Sequence, residues 1–241
     1  SLFLEVDLAD ELTILPGSDG TITVRCSDPY IPDGPDNLVY RAAEALRQVA
    51  NDDILGCEIH IDKRIPSGGG LGGGSSNAAL AISRLNDIWK TGLGDRDLHR
   101  VAQTVGSDVP FFLHGGTAMV HGRGEKVRVM PPSELGWVII LVPAISLPGK
   151  TAKLYARVTC EDYTRGALTR KLEARIRSKG DVPSQLLFNV FDNVALDAFP
   201  SLAQYRDVLY SLGVREIHVA GSGPALYAPI LRKEIGTAVQ A

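Results

Sequence analysis

Ile65-Pro66-Ser67-Gly68-Gly69-Gly70-Leu71-Gly72-Gly73-Gly74-Ser75-Ser76-Asn77-Ala78-Ala79 is the stretch whose reading decides the fold. Six of the seven residues from Gly68 to Gly74 are glycine. No helix or strand interior favours that density, because each such glycine costs ~0.5–1 kcal/mol relative to alanine. Bare backbone suits a different use. Main-chain N–H groups can close on an anion, with the partial positive charge of a helix start behind them. A β-branched run leads into the stretch and a strongly helical one leads out. It reads as a phosphate-binding loop.

Other uses of such a loop fit less well. It lacks the Gly-Lys-Ser/Thr ending of the common mononucleotide loop. A Gly-x-Gly-x-x-Gly pattern at Gly68, Gly70 and Gly73 is almost automatic in so glycine-rich a run. The acidic residue that a dinucleotide fold wants about 20 positions on is missing. A flexible linker would need neither Leu71, which can anchor the loop on a core, nor the Ser75-Ser76-Asn77 exit into a helix.

Working outward, Leu2–Leu15 reads as strand-like and turns at Pro16-Gly17, and Thr21–Cys26 alternates as a second strand. The Pro/Asp/Gly-rich stretch 28–36 is a loop. An amphipathic helix follows over Asn37–Val49, and Cys57–Ile65 is the strand that delivers the chain into the glycines. Ala78, Ala81, Ile82, Leu85, Ile88 and Trp89 recur at helical spacing, with Ser75 or Ser76 placed to cap their helix. A helix from Asp95 ends at Gly106. Strands are expected at Thr117–Val120, Lys126–Met130 and Val138–Val142. The Pro143–Pro148 segment marks the boundary between an N-terminal lobe, 1–145, and a C-terminal lobe, 146–241. The latter holds a Lys/Arg-rich helix near Arg165–Ser178 that reads as a solvated face. It also holds a helix near Leu202–Leu212 and a strand–turn–strand at Glu216–Tyr227. The mixture is α+β.

Composition sets outer bounds. The chain has 241 residues, 44% hydrophobic and 22% charged, with a net charge of −3. Those are the proportions of a globular protein with no electrostatic case for nucleic acid or an anionic membrane. The apolar run Trp137–Ile145 is far short of the ~20 residues that span a bilayer. Cys26, Cys57 and Cys160 lack metal spacing and read as buried thiols of a reducing compartment. His60, His99, His114, His121 and His218 show no ligand spacing. The partner is a small molecule, the compartment the cytoplasm, or a plastid if a leader precedes the abrupt Ser1 start; the oligomeric state is left open.

The stretch 65–79 resembles the ATP loop of the galactokinase, homoserine kinase, mevalonate kinase and phosphomevalonate kinase (GHMP) superfamily. Asp36-Asn37-Leu38, Gly106-Ser107-Asp108-Val109-Pro110 and Gly221-Ser222-Gly223-Pro224 agree in order and spacing, so the similarity covers nearly the whole chain. It implies a two-lobed α+β GHMP-kinase fold. The N-terminal lobe would be like the second domain of a small-subunit ribosomal protein, and the C-terminal lobe ferredoxin-like. It also implies a Mg·ATP-dependent kinase acting on an alcohol. The doubled glycine triplet favours the branch whose substrate is cytidine diphosphate-linked methylerythritol. Homoserine- or mevalonate-type kinases and a nucleotide-binding protein without catalysis are the alternatives.

The resemblance implies roles residue by residue. Backbone N–H groups of Gly68, Gly69, Gly70, Leu71, Gly72, Gly73 and Gly74 would hold the ATP phosphates, with Ser75, Ser76 and Asn77 at the exit. Ser75 or Ser76 would reach Mg²⁺, or simply cap the helix. Asp108 would accept or orient the hydroxyl proton, where sequence alone suggests a turn residue. Asn37 and Lys63 match positions around adenine; a helix cap and a solvated strand-end charge are their plain readings. Tyr155 matches an aromatic that stacks on cytosine, against simple core packing. Gly221, Ser222 and Gly223 would approach the substrate's phosphates, or form only a hairpin reversal. The family pairs its Asp with a Lys from an N-terminal strand and uses a Tyr-His pair beside cytidine. Neither precedes Ser1, so little or no turnover is expected until an upstream segment is restored.

Overall fold

A computed structural model describes residues 1–133, 136–145, 149–178, 180 and 182–230. Contacts divide the chain into two units, Ser1–Ser67 with Gly72–Val129, and Gly68–Leu71 with Met130–Ala241.

The first unit carries two three-stranded sheets. In one, β1 (Leu2–Leu4), β5 (Thr117–His121) and β6 (Lys126–Val129) run antiparallel in the order β1-β5-β6. In the other, β4 (Gly56–Asp62) lies between β2 (Glu11–Gly17), antiparallel, and β3 (Ile22–Cys26), parallel. Along β4 the period is two: Cys57, Ile59 and Ile61 are buried while His60 and Asp62 face water. Register sets Leu12 opposite Ile61 and Ile14 opposite Ile59, which puts one apolar face on the helices. Those helices are α1 (Leu38–Ala50), α2 (Gly73–Trp89), α3 (Asp95–Val105) and the short α4 (Val109–Phe112). Ala42 and Ala43 of α1 are buried in the same cluster as Ala78, Ala79 and Ala81 of α2. Small side chains let the two backbones approach. Leu46, Ile59, Ile82 and Leu85 fill the cluster, each worth ~1.5–3 kcal/mol when fully buried.

Among the described residues, the second unit has one antiparallel sheet, β7 (Trp137–Leu141), β9 (Leu226–Ile230) and β8 (His218–Val219), in that order. Around it are α5 (Lys150–Tyr155), α6 (Ala167–Arg177), α7 (Ala195–Ala198) and α8 (Leu202–Ser211). Leu154, Phe191, Leu202, Leu209, Leu226 and Ala228 centre its core. On α6 only Leu172 and Ile176 are buried, so the basic helix does present a solvated face.

Several local expectations change. The expected strand-like run Leu2–Leu15 is two strands in different sheets. The Glu5 amide donates to Gly116 O at 2.9 Å and its carboxylate accepts from Gly116 N at 2.7 Å, which closes β1. Pro16 and Gly17 end β2 rather than turn the chain. β4 stops at Asp62, short of Ile65, because the next three amides go to side chains: Lys63 N to Ser27 Oγ, and Arg64 N and Ile65 N to Asp10. No serine caps α2; Gly72, at φ 74°, holds that place. Contacts break after Val129 rather than in the Pro143–Pro148 segment, since β7, upstream of that segment, pairs with β9; residues 146–148 of it lie outside the described ones. Cys57 is buried and its thiol pushed up to about 11 by burial, but Cys160 is exposed.

Candidate active site

In the first unit the residues that flank the glycine stretch, Lys63–Ile65 before it and Asn77 after it, are held by a residue the sequence did not single out. Asp10, from the segment between β1 and β2, has a fully buried side chain. One oxygen accepts Arg64 N and Ile65 N, each at 2.7 Å, and the other accepts Asn77 Nδ2 at 2.8 Å. Lys63 Nζ lies 2.9 Å from it and also donates to the Ile65 carbonyl. Burial alone would raise the Asp10 pKa; the bonds from Ile65, Lys63, Arg64 and Asn77 outweigh it and hold the carboxyl below its ordinary range. An acid between two strands gives no local signal of such a role, which exists only once the chain is folded.

Lys63 and Asn77, expected at the nucleotide, are thus bonded to Asp10 and clamp the chain before and after the glycines. Asn37 is likewise engaged: its oxygen accepts Val39 N at 2.8 Å as the cap of α1, and its amide donates to Pro32 O at 2.8 Å. A Cβ on Gly73 would stand 2.9 Å from Ile65 Cγ2 and 3.3 Å from Lys63 Nζ, so the clamp also presses on the start of α2.

The first turn of α2 is open. Ser76 N bonds Gly72 O at 2.9 Å. Among the described residues, the amides of Gly73, Gly74 and Ser75 have no partner, as expected of an uncapped helix start. Ser75 and Ser76 sit half-buried in that turn. Seventeen residues of helix stand behind it, which favours an anion there.

Asp108 precedes α4, with no capping bond from its side chain. Its carboxylate meets solvent, yet the surrounding protein desolvates it and raises its pKa. The backbone beside it is fixed from the β5–β6 turn: Gly124, at φ 122°, lies so close to the Ser107 carbonyl that a Cβ would overlap it. Gly124 was missed in the sequence, where it looks like one more turn glycine. The Asp108 carboxylate has no partner among the described residues, and a carboxylate with a raised pKa is suited to take a proton.

In the second unit the first glycine triplet lies on the second glycine turn. Gly68 and Gly70 have φ of 71° and 87°. Gly69 O accepts Ala225 N at 3.0 Å, a Cβ on Gly70 would overlap the Ala220 carbonyl, and one on Gly221 would stand 3.0 Å from Gly70 O. Asn189 Nδ2 holds the turn from below, donating to Val219 O at 2.7 Å and Gly221 O at 2.8 Å. From α5, Thr151 Oγ1 meets Ser222 Oγ at 2.9 Å, and Lys150 Nζ donates to the carbonyls of Gly68 and Gly223. Tyr155 is 62% exposed, so it is not core packing. Its ring stands edge-on to Phe191 at 5.1 Å.

Known proteins agree with this architecture. The family model described as the GHMP kinases N terminal domain matches residues 37–116. A solved homoserine kinase from Cytophaga hutchinsonii, 17% identical, superposes with a TM-score of 0.74 over 95% of this chain and 79% of that one. The fold is that of the GHMP kinases. A 4-diphosphocytidyl-2-C-methyl-D-erythritol kinase of Dehalococcoides mccartyi is 37% identical over 239 residues, 99% of this chain and 82% of its own length. One from Brevibacillus brevis is 34% identical over 95% of this chain and 77% of its own. A solved 4-(cytidine 5'-diphospho)-2C-methyl-D-erythritol kinase is 30% identical with a TM-score of 0.77, covering 99% of this chain and 83% of that one. The chain belongs to the 4-diphosphocytidyl-2-C-methyl-D-erythritol kinase family. Among the described residues no helix is long and apolar enough to cross a membrane.

Proposed function

We propose that the protein transfers the γ-phosphoryl group of ATP to the 2-hydroxyl of 4-diphosphocytidyl-2-C-methyl-D-erythritol, a step of the non-mevalonate route to isoprenoid precursors. The observation that carries the reading is the open first turn of α2, whose Gly73, Gly74 and Ser75 amides have no described partner. Phosphoryl transfer asks a protein mainly for positioning and charge stabilisation. The amides from Gly69 to Gly74 supply both to the ATP phosphates. Lys63 and Asn77 act as positioning residues, since the Asp10 clamp that engages them holds the chain before and after the loop. Asn37 fixes the start of α1 in the same sense.

Mg²⁺ fits the donors present: a serine hydroxyl is a hard oxygen, and this ion takes few protein ligands when phosphates supply the rest. Ser75 or Ser76 would hold it, and it would neutralise charge on the phosphates. Asp108 accepts the hydroxyl proton as the acceptor oxygen attacks, a role its raised pKa suits. The exposed face of Tyr155 stacks on cytosine, an interaction worth ~1–3 kcal/mol. Gly221, Ser222 and Gly223 approach the substrate's diphosphate. The reading places the enzyme in the cytoplasm with a small-molecule partner. Phosphorus NMR of the reaction mixture tests it: one new phosphomonoester per ADP formed is expected, and ADP formed without it would overturn the reading.

A further inference from the structure

Lys150 is held in an unusual setting. Its ammonium donates to two main-chain carbonyls, Gly68 O in the first glycine triplet and Gly223 O in the second glycine turn. An ammonium has three donors, and the third has no partner among the described residues. No carboxylate pairs with it among those residues, and burial lowers its pKa. Lys63, the lysine the sequence pointed to, has its charge answered instead by Asp10 at 2.9 Å, with both side chains nearly or fully buried. A cation left among carbonyl dipoles and partly desolvated becomes more favourable when an anion joins it. The nearest chemistry is that of phosphate: bare glycine backbone on either side, and the Thr151 and Ser222 hydroxyls 2.9 Å apart alongside.

We propose that Lys150 binds a phosphate oxygen of a ligand lying against the Gly68–Gly70 triplet, its two carbonyl bonds holding the ammonium in place for that contact. The proposal rests on the kinase reading above. Two ligands bring the same chemistry, the nucleotide triphosphate and the diphosphate of the acceptor. Affinities of the full protein for a non-hydrolysable ATP analogue, adenosine, CDP and cytidine distinguish them, measured for the native protein and for Lys150→Gln and Lys150→Arg.

Gln keeps two N–H donors for the carbonyls but removes the charge; Arg keeps the charge. Lys150→Gln should weaken the ATP analogue or CDP by about tenfold or more, as expected for loss of a charge-assisted bond. The matching nucleoside should change less than about twofold, and Lys150→Arg should retain most of the affinity. The phosphorylated ligand that loses affinity identifies the source. Equal loss of ligand and nucleoside, or no loss in Lys150→Gln, would leave only a brace between two turns and overturn the proposal. Lys150→Met, which has no donor at all, repeats the comparison if Lys150→Gln fails to fold. Native protein that binds neither ATP analogue nor CDP would overturn the kinase reading together with this one.

Discussion

Asp108 is exposed yet partly desolvated, and its carboxylate has no partner among the described residues, so its ionised form costs the fold something; in the proposed reaction it is the base. Asp108→Asn should cut kcat by about 10²- to 10⁴-fold while leaving the KM for ATP nearly unchanged, measured by steady-state kinetics. The sign for stability is the reverse. A carboxyl whose folded pKa is raised destabilises the fold above that pKa. The Asn variant should therefore melt higher than the native protein near neutral pH, and the difference should vanish as pH falls below the ordinary 3.8. Asp10 has the opposite sign, because its folded pKa is lowered. Its stabilisation is present above the ordinary 3.8 and is lost as pH falls through the depressed value. Asp10→Ala leaves the Lys63 amine, with its side chain 7% exposed, without a counter-charge. A loss of ~3–5 kcal/mol in denaturant unfolding is expected, with less dependence on acid than in the native protein. The Ser-Asp-Val-Pro setting by itself suggests a turn at Asp108, and only the family resemblance points to a catalytic role; Asp10 gave no signal at all, because its partners Lys63, Ile65 and Asn77 lie more than fifty positions away.

Among the elements, those with strong local signals read from the sequence most closely. α1 and α3 fall within a residue of their expected limits, because their apolar spacing and the Asn37 and Gly106 punctuation are local signals. Four strands did as well, the expected Thr21–Cys26, Thr117–Val120, Lys126–Met130 and Val138–Val142 lying within a residue of β3, β5, β6 and β7; the first two strands were harder. β1 and β2 merged into one run because nothing local says that Glu5 closes one sheet on Gly116. α5, six residues long and carrying Lys150, Thr151 and Tyr155, was not read as a helix at all. The glycine stretch announced itself as a loop, but which of its glycines are irreplaceable depends on what they touch. Gly68 and Gly70 share a positive φ, yet a Cβ on Gly68 meets nothing within 4 Å while one on Gly70 overlaps Ala220 O. Gly68→Ala should cost ~1–2 kcal/mol of backbone strain alone and keep ATP-analogue affinity within a few-fold. Gly70→Ala should cost more in stability and lose most of that affinity. Thermal melts and titrations on the pair decide it, and equal losses would deny that the second glycine turn shapes the first triplet.

For the whole molecule, α+β character and the GHMP-kinase fold were legible from four short motifs in a fixed order, and the family likeness bears that out. The division after Val129 was not legible, since it depends on β7 pairing with a strand about ninety residues later. The central claim is that this scaffold phosphorylates a cytidine diphosphate-linked alcohol. The most direct measurement is ADP release by the full encoded protein with Mg·ATP and, separately, 4-diphosphocytidyl-2-C-methyl-D-erythritol, its cytidine-free alcohol, homoserine and mevalonate. The account predicts kcat/KM for the cytidine-bearing alcohol at least about fivefold above any other, from the stacking on Tyr155 alone. Transfer to a cytidine-free alcohol with equal or greater efficiency would contradict it.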